Sequence, residues 1–291
     1  MKALIVGANG QVGRCLQAAA PTQARLVCRG SDGLDIRDRA AVAALVAEER
    51  PDILFNAAAY TAVDRAEGEE ALALSVNGGG VANLAEAADR TGARLVHIST
   101  DFVFDGASGT PYAPDAPTRP LCAYGRTKLA GEGHALALDT ALVVRTAWVY
   151  APEGGNFVRT MLRLMAERPE VRPEVRVVAD QIGTPTYAPA LARALWNLAL
   201  GERRGVYHYT DSGVASWYDF AVAIREEALA GGVLDGAAPV LPIPTSAFPT
   251  PARRPPFSVL DKEATWAALG GPAPHWRENL RLMLKGIAAG G

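Results

Sequence analysis

The sequence is short of everything that a metal, a disulfide framework or a polyanion would need. It holds three cysteines, Cys15, Cys28 and Cys122, scattered and without a Cys-x-x-Cys spacing. That argues against a thiolate cage or a stapled fold and suits a reduced, cytoplasmic setting. Its four histidines form no pair at ligand spacing, so no metal is expected. The formal net charge is −2, without the basic excess that nucleic acid or an anionic membrane surface would select. No apolar run approaches the ~20 residues that cross a bilayer. A secretory leader is not expected, because strand-like sequence begins at Lys2. Lysine is scarce, four against 25 arginines, which we read as compositional bias and not as function.

What is present is apolar sequence in short runs. Residues total 291, of which 49% are apolar, enough for a large core. Strand-like runs at 3–6, 26–28, 53–55, 95–98 and 142–144 alternate with helix-like stretches ending near 20 and spanning 40–48, 69–88 and 124–137. This alternation predicts an α/β, Rossmann-like doubly wound parallel sheet covered on both faces. A dinucleotide-binding domain is expected over 1–145, receiving parts of 180–205 and 250–265. Residues 146–291 then form mainly a smaller, substrate-binding lobe. Prolines cluster at 111–120 and 242–256, where long functional loops are expected.

Three motifs carry chemistry. "VGANGQVG", residues 6–13, sets Gly7, Gly10 and Gly13 between a strand and a helix. Such a turn needs glycine for its tight backbone, for approach of a phosphate and for helix–strand packing. The helix that follows offers free N–H groups to a pyrophosphate. "YGRTK", 124–128, puts Tyr124 and Lys128 one helical turn apart on one face. With eight tyrosines and four lysines, a chance Y-x-x-x-K is expected only ~0.1 times. A neighbouring ammonium is expected to lower the phenol pKa and make Tyr124 a proton donor. "STDFVFDG", 99–106, ends the fourth apolar run on two hydroxyls and a carboxylate. Strand C-termini face ligands in open parallel sheets, so the strand-end hydroxyl of Thr100 is expected at the ligand site.

With these motifs in place the chain resembles the extended short-chain dehydrogenases/reductases, and within them the dTDP-4-dehydrorhamnose reductase subfamily. The resemblance runs over nearly the full length. It rests on "GANGQVG", "LDIRD" (34–38), "PDILFNAAAYTAVDRAE" (51–67), "VNGGGVANLAEAA" (76–88), "HISTDFVFDG" (97–106), "PYAPDAPTRPLCAYGRTKLAGE" (111–132), "RTAWVYAPEGGNFVRTMLRL" (145–164), "DQIGTPTYAPALA" (180–192) and "PTPARRPPFSVLD" (249–261). It implies that Gly7, Gly10, Gln11, Val12 and Gly13 hold the pyrophosphate, and that Asp35 and Ile36 flank the adenine. It puts Ala59, Tyr60 and Thr61 on the nicotinamide side and Lys128 on the ribose hydroxyls. Thr100 and Tyr124 would bind and protonate the carbonyl oxygen. Asp101, Trp148 and Asn156 would meet the sugar, although Trp148 also reads as core, Asp101 as a turn residue and Asn156 as a helix N-cap. Arg254, in a proline-rich loop, is a candidate for the substrate pyrophosphate.

The resemblance implies reduction of the C4 keto group of a dTDP-4-keto-6-deoxy sugar nucleotide to dTDP-L-rhamnose, with a homodimer as its assembly. Where NAD enzymes place an acid at the end of the second strand, this chain has Arg29. Arg29 could pair with a 2′-phosphate, so NADPH is expected to be preferred, with NADH tolerated. A dehydratase of this fold carries a second acid after the strand-end threonine, and here Asp101 is followed by Phe102. Two further alternatives are a reductase of another 4-keto sugar nucleotide and a non-catalytic NADP-binding subunit like the regulatory subunit of methionine adenosyltransferase.

Overall fold

The computed structural model describes residues 1–167 and 173–289. The first half is β1 (Lys2–Val6), α1 (Gln11–Ala18), β2 (Arg25–Arg29), α2 (Arg39–Glu49), β3 (Ile53–Asn56), α3 (Val63–Ala66), α4 (Glu70–Leu74), α5 (Val81–Thr91), β4 (Arg94–Thr100), α6 (Ala123–Leu136) and β5 (Leu142–Thr146). The second half is less regular. It contains β6 (Val149–Tyr150), α7 (Phe157–Met165), β7 (Val175–Val178), β8 (Ile182–Gly183), β9 (Thr186–Tyr187), α8 (Ala188–Leu200), β10 (Gly205–His208), β11 (Ala215–Ser216), α9 (Trp217–Ala230), β12 (Val240–Ile243), α10 (Glu263–Leu269) and α11 (Trp276–Ala289).

Six strands form one parallel sheet in the order β2-β1-β3-β4-β5-β10. Every residue of β3 and β5 is buried, because helices cover both faces and no position can face water. On one face α1 and α8 pack Leu16, Leu195 and Trp196 against Phe55 and Val144. On the other, α2 and α5 bring Val42, Val46 and Leu84 onto Leu54, Leu95 and Val143. The edge strand β10 and the helix before it thus return from the second half of the chain to complete the sheet. A third buried cluster, with Tyr150, Val158, Phe220, Trp276 and Leu280, is drawn from the second half of the chain.

The helix expected over 69–88 is interrupted. Between α4 and α5 the segment Ser75–Gly80 is π-helical. Its sequence, SVNGGG, ends on three glycines, which let the turn lie close to its neighbours. A Cβ on Gly80 would stand well inside 3.0 Å of Ile36, and one on Gly131 would do the same to the carbonyl oxygen of Asn77. Asn77 itself is locked: it accepts from Tyr60 N at 2.8 Å and donates to Thr127 Oγ1 at 3.1 Å. The widened turn therefore fixes the loop after β3 against α6, and π segments of this kind concentrate at functional sites.

Candidate active site

The strand order reverses at β1, with β2 on one side and β3 on the other, and crevices at such switch points take ligands. Gly7, at the end of β1, has a positive φ of 73°, and a Cβ there would collide with the backbone of Ala57 and Ala58 at the end of β3. A Cβ on Gly13 would collide with the carbonyl oxygen of Gly7. The turn is therefore closed as tightly as backbone allows, and only glycine fits at either position. Gly10 is the N-cap of α1 and gives it no side-chain cap, so the first amides of the helix face the crevice without one. The cleft beyond has a volume of about 450 Å³ and is lined by Gly7, Gly10, Asp35, Ile36, Ala59 and Tyr60, among others. These residues fit a dinucleotide: bare amides at a helix N-terminus for phosphate, and a cradle that side chains would fill.

The remaining expected cofactor residues lie around this cleft in different settings. Val12 packs into the core beneath the sheet. Gln11 donates to Gly155 O at 3.3 Å and accepts from Asn156 Nδ2 at 3.1 Å, tying the turn to the segment before α7. Thr61 is exposed beyond Tyr60. Arg29 ends β2, and its guanidinium donates to the Cys28 carbonyl at 3.1 Å; it is not among the residues lining the cleft. Ser31 and Arg37 are. Asp35 is held by Arg37 through contacts of 2.6–3.0 Å, which keep its carboxyl below the usual range.

Thr100, Tyr124 and Lys128 come together at the C-terminal end of β4. Glu67 Oε1 accepts from Ala123 N at 2.7 Å and so caps α6 where its own N-cap, Cys122, offers no side-chain bond. Tyr124 lies one residue on, its ring edge-on to Phe102 at 5.6 Å. Burial raises the Tyr124 phenol above its ordinary value, and the Thr100 hydroxyl acts in the opposite direction. Lys128 is buried and donates to the Ile98 carbonyl at 2.6 Å. Burial lowers its ammonium to about 8, with Glu132 opposing.

One expectation is corrected here. Lys128 is turned to a backbone carbonyl, and the phenol is raised by desolvation instead of lowered by a neighbouring charge. The Thr100 hydroxyl is also engaged: it donates to Asp101 Oδ1 at 3.1 Å and accepts from Phe102 N at 3.2 Å. Asp101 is buried, with its carboxyl pushed up to about 6 by desolvation.

The second half of the chain supplies a second cleft of about 630 Å³, lined by Phe157, Met161, Gln181, Trp217, Phe248 and Arg254, among others. Trp148 stands beside it. Its φ of 48° is left-handed, and its ring stacks on Trp217 at 3.5 Å, against Gly183. Asn156 is the N-cap of α7, accepting from Arg159 N at 3.1 Å. Arg254 is paired with Asp64 at 2.9 Å and donates to Thr250 Oγ1 at 2.5 Å, so its charge is partly spent within the protein. Trp217 and Phe157, which line this cleft, and Ser258, which faces the Asp101 carboxyl, escaped the sequence reading. Ser216 and Asp219 form a capping box that marks where α9 starts, but nothing local says that Trp217 meets Trp148.

Comparison with known proteins follows the same outline. Residues 1–288 match the family described as RmlD substrate binding domain. The dTDP-4-dehydrorhamnose reductase of Burkholderia thailandensis is 44% identical over 99% of each chain. A Streptomyces antibioticus protein named "Probable dTDP-4,6-dihydroxy-2-methyloxan-3-one 4-ketoreductase" is 43% identical over 99% of this chain and 96% of its own. The crystal structure of dTDP-4-dehydrorhamnose reductase from Bacillus anthracis in complex with NADP superposes with a TM-score of 0.89 at 37% identity, covering 97% of this chain and 98% of that one. By this match and these relatives, the chain belongs to the RmlD substrate binding domain family and stands among its dTDP-4-dehydrorhamnose reductases.

Proposed function

We propose that the chain reduces the C4 keto group of dTDP-4-dehydro-L-rhamnose to give dTDP-L-rhamnose, using NADPH and tolerating NADH. The observation that carries this is the meeting of Thr100, Tyr124 and Lys128 at one strand end, beside a glycine-walled cleft, in a chain 44% identical to a reductase of that name. When bound, the reduced nicotinamide supplies the hydride. The amides that follow Gly10 hold the pyrophosphate, with Gln11 and Gly13 shaping the turn. Asp35 and Ile36 flank the adenine, Arg29 serves the 2′-phosphate, and Ala59, Tyr60 and Thr61 border the nicotinamide. Lys128 orients the ribose hydroxyls.

Tyr124 keeps its proton until negative charge develops on the carbonyl oxygen, because burial disfavours the phenolate. Thr100 steadies the same oxygen. Asp101, Trp148 and Asn156 position the sugar, and Arg254 reaches its diphosphate from the second cleft. Residues 146–291 act mainly as the substrate lobe. A cytoplasmic setting and a homodimer complete the proposal; the three cysteines, all unpaired, accord with the former.

The test is loss of reduced-nicotinamide absorbance on adding dTDP-4-dehydro-L-rhamnose. Turnover with another dTDP-linked 4-keto sugar and none with this one would reassign the substrate, a second reading that the Streptomyces relative favours. Cofactor binding with no turnover of either would point to a regulatory subunit.

A further inference from the structure

Thr100 has a single hydroxyl proton and more than one claim on it. Its Oγ1 already accepts from Phe102 N at 3.2 Å and lies 3.1 Å from Asp101 Oδ1. An ionised carboxylate can only accept, so against Asp101 in that form the Thr100 proton turns to the carboxylate and away from the substrate. If the carboxyl carries the proton, the bond reverses: Asp101 donates to Thr100 Oγ1, and the Thr100 proton is released toward the carbonyl oxygen. Only in the second arrangement does the Thr100 hydroxyl serve Phe102 N, Asp101 and the substrate oxygen at once.

We propose that Asp101 is a positioning residue that works in its protonated form, donating to Thr100 so that Thr100 can donate to the reacting carbonyl oxygen. This deepens the reductase reading and rests on it. The setting favours the neutral acid. Asp101 is 2% exposed, and its Oδ2 is buried with no hydrogen-bond partner, a poor site for an anion. The polar groups that face it are Thr100 from β4, the backbone amides of Asp101 and Phe102, Ser258 from the segment after the proline-rich loop, and Tyr124 from α6. Lys128, one turn along α6, is held by the Ile98 carbonyl, and Cys122 stands behind Tyr124. Among the described residues no cation pairs with Asp101. Burial raises the carboxyl to about 6, while the Ser258 and Thr100 hydroxyls pull the other way.

The test is the pH profile of kcat for NADPH-dependent reduction of the 4-keto sugar nucleotide, measured between pH 5 and 9 in the wild type, Asp101→Asn, Asp101→Ala and Thr100→Val, with a thermal melt of each. In the wild type kcat should fall as pH rises through an ionisation below that of Lys128, by up to ~10²-fold, the usual loss of one oxyanion donor. Asp101→Asn keeps a donor at this position. It should recover at least tenfold of the activity that Asp101→Ala loses, and its profile should lack the ionisation. Thr100→Val should lack it too, because the carboxyl then has nothing to steer. A wild type flat over this range would overturn the proposal. So would the same ionisation persisting in Asp101→Asn, or Asp101→Asn as inactive as Asp101→Ala with an unchanged melt. No turnover in the wild type would remove the reductase reading itself.

Discussion

Replacing Lys128 with methionine should change how stability depends on pH. Burial lowers the ammonium from 10.5 to about 8. At about 1.4 kcal/mol per pH unit, that gap places roughly 3 kcal/mol of destabilisation on the folded wild type wherever the group is charged in both states. Below pH 8 the full cost is present. Between about 8 and 10.5 the unfolded chain binds the proton and the folded chain releases it, so wild-type stability rises with pH at up to ~1.4 kcal/mol per unit. Methionine has nothing to titrate. The loss of the 2.6 Å bond to Ile98 O, at ~1.5–3 kcal/mol, offsets the gain and does not follow the same pH course. The sign of the difference at pH 7 is therefore set by two opposing terms, but its slope is not. Urea unfolding of both chains, without cofactor, at pH 7, 8, 9 and 10 reads this slope directly. Lys262, also lowered to about 8, titrates equally in both chains and cancels. A stability difference constant to within ~0.5 kcal/mol from pH 7 to 10 would refute the buried-ammonium account. The variant should also show no turnover.

Other perturbations separate the remaining roles. Tyr124→Phe should bind NADPH normally and lose ~10²–10⁴ in kcat; retention of most of the activity in steady-state assays would move the proton donor elsewhere. Trp148→Ala removes a ring stacked on Trp217 at 3.5 Å. It should lower the melting temperature only slightly, the stack being worth ~0.5–1.5 kcal/mol beyond its area, while raising KM for the sugar nucleotide at least tenfold. A large fall in melting temperature with KM unmoved would make it a core residue. Arg29→Ala should cost ~1.5–3 kcal/mol in kcat/KM with NADPH and little with NADH. Equal losses with both cofactors would leave Arg29 as the strand-end contact to Cys28 that the structure records.

What was legible in the sequence was what depends on neighbours along the chain. Gly7, Gly10 and Gly13 announce a phosphate turn because a tight strand–helix junction has a fixed residue spacing, and the structure places Gly7 and Gly13 where a Cβ would strike backbone. Tyr124 and Lys128 share a face because a helix repeats every 3.6 residues. Alternating short apolar runs and helices dictate a covered parallel sheet. The same local logic failed at 75–80, where three glycines read as helix but allow a π turn that only the approach of Gly131 and Ile36 requires.

Tertiary structure alone decided the electrostatics and the second cleft. Whether Lys128 reaches the phenol or the Ile98 carbonyl depends on how α6 lies on β4, which no spacing within YGRTK encodes. The state of Asp101 depends on Ser258, and the settings of Trp148 and Arg254 depend on Trp217 and Asp64. Each pair comes from distant parts of the chain. They meet because the parallel sheet gathers its loops at the C-terminal strand ends, and the burial that follows, not the residue type, sets which groups hold their protons.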